Sequence, residues 1–122
     1  MPEKEPETHG APLRRFTDPA YVPLCTNLAE VRENIDRLDR QIVALLAERG
    51  RYVKDAARFK RDAFQVSAPQ RQQEVIDKVK ALAEKEGAYP EVVEAAYRAL
   101  IAGFIAREQQ DHVGMVDVEV QP

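Results

Sequence analysis

The chain has 122 residues, a formal net charge of -3 and a pI near 5.5. That size allows one core at roughly 100 to 200 residues per domain, and an acidic chain lacks the positive charge with which nucleic-acid binders attract phosphate, so no nucleic-acid partner is expected. Cys25 is the single cysteine, and His9 and His112 are the only histidines, which excludes an intrachain disulfide and a Cys/His metal cage and suits a reducing compartment.

Thirty residues are Leu, Ile, Val or Phe, about a quarter of the chain, above the roughly 20% below which disorder is expected. Residues 1–26 hold five of the eight prolines and show no apolar period, the composition of an extended or disordered arm. Neither this arm nor any later segment has the apolar run of a signal peptide or a membrane span. A soluble, cytoplasmic protein with no membrane partner is expected.

Residues 27–111 read as one helical domain. Its first helix opens at Asn27, which with Glu30 three residues on matches a capping box; Thr26 is the alternative cap. Leu28, Val31, Ile35, Leu38, Ile42 and Leu45 then alternate spacings of three and four, one stripe on a helix and incompatible with a strand. The stripe continues less cleanly through Val53, Ala56 and Ala57 toward Phe59 and Phe64, and Gly50 interrupts it at about 1 kcal/mol relative to Ala. Either one helix runs from 27 to about 63, or two meet near Gly50. A single helix is favoured, because no turn partner accompanies the glycine.

A second helix is expected to start with Pro69 in its first turn and to end at Gly87, burying Val75, Ile76, Val79, Leu82 and Ala83. A third starts near Pro90, carries Val93, Tyr97, Leu100, Ile101, Phe104 and Ile105 at helical spacing, and ends around Asp111. Residues 112–122 form a tail in which Val116, Val118 and Val120 alternate with polar residues but lack a second strand to pair with. The fold class is therefore all-α, a three-helix chain with one long first helix. At about 1.5 Å per residue that helix would reach roughly 55 Å, well beyond a small domain. Two shorter helices cannot cover its stripe, so an intertwined homodimer is predicted.

Cations interrupt this pattern where apolar residues belong. Arg49 extends the line of Ile42 and Leu45, and Lys60, eleven residues on, would point within about 20° of it on a continuous helix. Arg49, Arg51, Lys54, Arg58, Lys60 and Arg61 face only Asp55 as counter-charge within their segment, a basic island in an acidic protein whose natural partner is an anion. Arg51, Lys54, Arg58 and Arg61 fit a solvated face. Arg49 and Lys60 sit on the stripe, and a buried cation needs a partner. Arg32 lies about 100° off that line, where it could reach a neighbouring helix or chain. Glu108 continues Ile101 and Phe104 by one more turn, with solvent exposure at the helix end as the alternative.

The stretch 31–60, VRENIDRLDRQIVALLAERGRYVKDAARFK, resembles the first helix of the all-helical chorismate mutase family and is especially similar to its isochorismate pyruvate lyase branch. The shared pattern is an apolar residue followed by Arg, an I-D-x-L/I-D core, L-L-A-E-R, and a Lys eleven residues after that Arg. The resemblance covers about 27 to 111, with the second and third helices matching mainly in length and breaks. It implies an intertwined dimer in which an arginine of one subunit completes the site of the other, and that arginine would be Arg32. By position it makes Arg49 a ligand of a substrate carboxylate and Lys60 a contact of a carboxylate and the ether oxygen, and it places Arg71 in the site. Gln72 stands where many relatives carry a glutamate for the substrate hydroxyl, and it can still accept or donate. Glu108 stands where bacterial relatives usually place a glutamine beside the ether oxygen, and it would have to be protonated to help.

The implied activity is the rearrangement of chorismate to prephenate, with aromatic amino-acid biosynthesis as its context. One C–O bond breaks as a C–C bond forms, with no proton transfer, so no nucleophile, metal or cofactor is required. The protein supplies binding of a compact dicarboxylate and donors aimed at the ether oxygen. The alternatives are isochorismate cleavage to salicylate and pyruvate, or a non-catalytic helical dimerisation or regulatory module.

Overall fold

The computed structural model describes residues 3–119, and the expected alternation at Val120 lies outside them. The chain divides into two units, one through Ala47 and the other from Glu48. All regular structure among the described residues is helical: α1 spans Leu28–Ala56, a 3-10 turn Ala57–Phe59, α2 Ala63–Ser67, α3 Pro69–Glu86 and α4 Pro90–Val113. Among the described residues, no helix is long and apolar enough to cross a membrane.

In the first unit, residues 3–26 carry no helix or strand. Pro19 sits in a turn closed by Tyr21 N–H donating to Asp18 C=O (3.2 Å), with the Phe16 and Tyr21 rings 4.5 Å apart. Thr8 C=O accepts from Ala29 N–H at 2.8 Å, satisfying one of the amides that a helix start leaves free. Asn27 Oδ1 accepts from Glu30 N–H at 2.9 Å, and the Glu30 carboxylate reaches back to the hydroxyl and amide of Thr26 at 2.7 and 3.2 Å. Both candidate caps are thus used, and the bonds from Thr26 hold the Glu30 carboxyl below the usual carboxylate range. Val31, Ile35, Leu38, Ile42 and Leu45 do form one stripe, yet they are between 37% and 63% exposed.

In the second unit, α3 packs on α4, with Ile76, Val79 and Ala83 buried on α3 and Ile101 on α4. Leu82, expected on that buried face, is half exposed. Gly87 closes α3 at φ 73°, a left-handed conformation that costs glycine little, and Ala88 N–H returns to Ala83 C=O at 2.9 Å. Glu94 on α4 joins Lys80 of α3 at 3.1 Å and Arg98 at 2.8 Å; bonds from Arg98 and then Lys80 hold its carboxyl below the usual range.

The first helix is continuous through Gly50, as favoured, but it ends at Ala56 instead of near residue 63. The chain tightens into a 3-10 turn in which Lys60 N–H donates to Ala57 C=O at 3.2 Å, and Lys60 adopts an extended backbone. Phe59 and Phe64, expected to extend the buried stripe, are 78% and 73% exposed. A short helix that the apolar pattern did not announce, α2, follows. Its signal was Asp62 with Gln65: Gln65 N–H donates to Asp62 Oδ1 at 2.9 Å while Gln65 Oε1 accepts from Arg61 N–H at 2.7 Å, the arrangement used by Asn27, Glu30 and Thr26. Pro69 stops α2 from merging with α3, because its ring disfavours right-handed helix at the preceding residue. Ala68 accordingly turns left-handed at φ 44°, a conformation that costs a non-glycine residue roughly 1–2 kcal/mol.

Gly50 has a tertiary reason to be there. A Cβ at this position would stand 3.1 Å from Phe104 Cε1, closer than carbon atoms normally pack. Gly50→Ala is expected not to deliver the roughly 1 kcal/mol that helix propensity offers, whereas in a Phe104→Leu background it should. Thermal unfolding of the two single variants and the double variant checks this, and a full gain in the otherwise unchanged protein would contradict it.

Candidate active site

A cavity of about 320 Å³ opens in the second unit, its walls supplied by α1, the turn at Lys60, the α2–α3 junction and α4. That volume falls within the range of small-molecule sites, which are mostly apolar with a few placed polar groups. Val53, Val75, Ile101 and Ile105 provide apolar wall, and Arg49, Lys60, Arg71, Gln72 and Glu108 provide the polar atoms.

Each polar group is positioned by identifiable neighbours. The Arg49 guanidinium lies over the Phe104 ring, 4.9 Å from its centroid, an attraction between a cation and the negative face of the ring. The ring that Gly50 admits is therefore the one that orients Arg49. Lys60 Nζ donates to Glu108 Oε2 at 2.7 Å, the ammonium half-buried and the carboxyl 4% exposed. Gln72 Nε2 donates to Ser67 C=O at 2.6 Å, which fixes the amide and leaves its oxygen to accept. Arg71, at the third position of α3, is largely exposed and lies 3.9 Å from Glu74, a loose pair at the cavity edge.

Five of the six residues singled out in the sequence thus line one cavity. Arg49 and Lys60 do so for a reason other than helical phase, because α1 ends between them and the chain turns Lys60 inward. Glu108 is buried, not exposed at the helix end. Arg32 is exposed on α1 in the first unit, and the cavity walls come from the second unit alone. Arg51, Lys54, Arg58 and Arg61 are exposed, with Arg58 bonded to Asp55 at 2.9 Å. One residue that sequence reasoning left in the tail belongs here: α4 runs to Val113, and within its last turn His112 Nε2 lies 2.7 Å from Lys60 C=O.

An all-helical chain whose apolar cavity carries two half-buried cations and a buried carboxyl defines a site for a small anionic molecule. The family model for chorismate mutase type II matches residues 31–109. The chain is 38% identical to the isochorismate pyruvate lyase of Pseudomonas aeruginosa over 84 residues, 69% of this chain and 83% of that protein. It is 29% identical to the chorismate mutase of Methanocaldococcus jannaschii, over 68% of this chain and 85% of the relative. It is also 31% identical to the bifunctional chorismate mutase/prephenate dehydratase of Aquifex aeolicus, covering 24% of that longer protein. The protein belongs to the chorismate mutase type II family.

Proposed function

We propose that the protein is a chorismate mutase of the cytoplasm that converts chorismate to prephenate in the cavity described above. The observation that carries this reading is the Lys60 Nζ–Glu108 Oε2 contact of 2.7 Å, at the wall of an apolar cavity that also receives Arg49. The substrate is a dicarboxylate with one ether oxygen. Arg49 and Arg71 take its carboxylates, Gln72 accepts from its hydroxyl, and Lys60 and Glu108 flank the ether oxygen. Negative charge grows on that oxygen as the C–O bond breaks. Preorganised donors in a water-excluded site stabilise such charge far more than water does, and holding the compact conformer lowers the entropic barrier.

Glu108 accepts from Lys60 at 2.7 Å. To aid the reaction it donates, which requires its protonated form, because a carboxylate would repel the developing charge. Lys60, Arg49 and Arg71 bring positive charge to the same cavity, and His112 follows one turn later on α4. Glu108→Gln, whose amide always carries a donor, should therefore keep or raise kcat/KM relative to the parent, whereas Glu108→Ala should lower it by about 100-fold. A Gln variant as impaired as the Ala variant removes this role for Glu108.

The exposed stripe of α1 supports a homodimer in which a second copy covers it, and Arg32 would be the residue donated to the partner's cavity. A second reading, isochorismate pyruvate lyase, is favoured by the 38% identity to the Pseudomonas protein. Gln72 and Glu108 favour the mutase. Supplying the purified protein with chorismate and, separately, with isochorismate tests both readings: loss of chorismate supports the mutase, and salicylate from isochorismate supports the lyase. Neither product would leave a non-catalytic helical module.

A further inference from the structure

We propose that His112 is a positioning residue for Lys60, with Gln109 as its companion, an inference that rests on the reading in which Lys60 contacts the substrate. Lys60 is held at three separate atoms. Its N–H donates to Ala57 C=O at 3.2 Å, its ammonium to Glu108 at 2.7 Å, and its carbonyl oxygen lies 2.7 Å from His112 Nε2. A carbonyl only accepts, so His112 donates, and that bond requires hydrogen on Nε2. Glu108 and His112 are four residues apart on α4 and share one face. One grips the tip of the lysine and the other its backbone. Gln109, between them, donates from Nε2 to Ala63 C=O at 2.8 Å and to Ser67 Oγ at 3.3 Å.

The last turn of α4 therefore clamps the segment from Lys60 to Ser67, which carries the lysine and leads to the cavity wall. Val66, 2% exposed, is the one buried side chain of this segment, and it sits at the far end from Lys60. Phe59 and Phe64 point largely into solvent, and the α2 helix is five residues long. A lysine side chain is flexible, so an anchored tip defines the ammonium position only if the backbone is anchored too. A misplacement of about 1 Å at a reacting centre can cost on the order of 100-fold in rate.

The test compares His112→Leu, which removes the donor, with His112→Gln, whose amide nitrogen can replace Nε2. His112→Leu should lower kcat about 10- to 100-fold with a smaller change in KM, and should speed tryptic cleavage after Lys60 and Arg61. His112→Gln should restore kcat to within about threefold of the parent and restore resistance to trypsin. Gln109→Met should loosen the same segment with a smaller loss of kcat. Equal kcat for parent and His112→Leu overturns the proposal, as does a loss that His112→Gln fails to rescue. A merely structural role would lower the unfolding temperature of His112→Leu while leaving kcat unchanged. If the parent converts neither chorismate nor isochorismate, the functional reading fails, and the trypsin comparison still decides whether His112 holds the Lys60 segment.

Discussion

Lys60→Ala is expected to reduce kcat by about 100- to 1,000-fold, because removing one donor from a developing oxyanion typically costs roughly 3 to 4 kcal/mol. The variant also leaves Glu108, which is 4% exposed, without its ion-pair partner. Breaking such a pair by removing one member costs more than the pair itself is worth, so a fall in unfolding temperature should accompany the loss of activity. The double variant Lys60→Ala/Glu108→Gln separates the two effects. It replaces the orphaned carboxyl with a neutral amide and should regain stability while staying inactive. Near-parental kcat in Lys60→Ala, measured at saturating chorismate, would remove Lys60 from the chemistry.

Ile42→Asp is expected to have the second largest effect. Ile42 lies on the α1 stripe and is half exposed in the single chain, together with Ile35, Leu38 and Leu45. Soluble proteins rarely leave so continuous an apolar strip to water, and a second copy of the same helix is the occupant that a two-fold interface provides. Placing a carboxylate at that interface would bury a charge with no partner. Sedimentation should then show a dimer for the parent and a monomer for the variant. Activity should fall with dimer content, since Arg32 would no longer reach a neighbouring cavity. A variant that sediments as a monomer and keeps parental kcat/KM would show each chain to be self-sufficient.

The starts of α1, α3 and α4 were legible because they rest on local chemistry. Asn27 and Thr26 with Glu30, Pro69 and Pro90 at helix starts, and Gly87 at a helix end act within one turn of themselves. The three-and-four spacing of apolar residues is equally local. The stop of α1 at Ala56 was not legible in this way. Nothing nearby in sequence forbids further helix, and Phe59 and Phe64 fall on the extended stripe. Asp62 and Gln65 did announce α2, by the same capping logic as Asn27 and Glu30, but an apolar-pattern reading passes over a helix with so short a buried face.

Two of the six clustered cations, Arg49 and Lys60, stood out in the sequence because they occupy positions that should be apolar. The pattern marked them as unusual without fixing where they would go. Arg49 is oriented by Phe104, which Gly50 admits, and Lys60 by partners 48 and 52 residues away, Glu108 and His112. His112 carried no signal in the sequence, since a histidine beyond an expected helix end looks like part of a tail.

Sequence alone therefore determined that the chain is helical, where its helices begin, and that cations replace apolar residues on one face, because periodicity and capping are decided within a few residues. Which charges share a cavity, the burial of Glu108 against Lys60, and the exit of the chain from its helix before Lys60 came from packing between distant segments. Those outcomes depend on pairings between segments dozens of residues apart, and a side chain can satisfy such a pairing only after the backbone has brought its partner within about 3 Å.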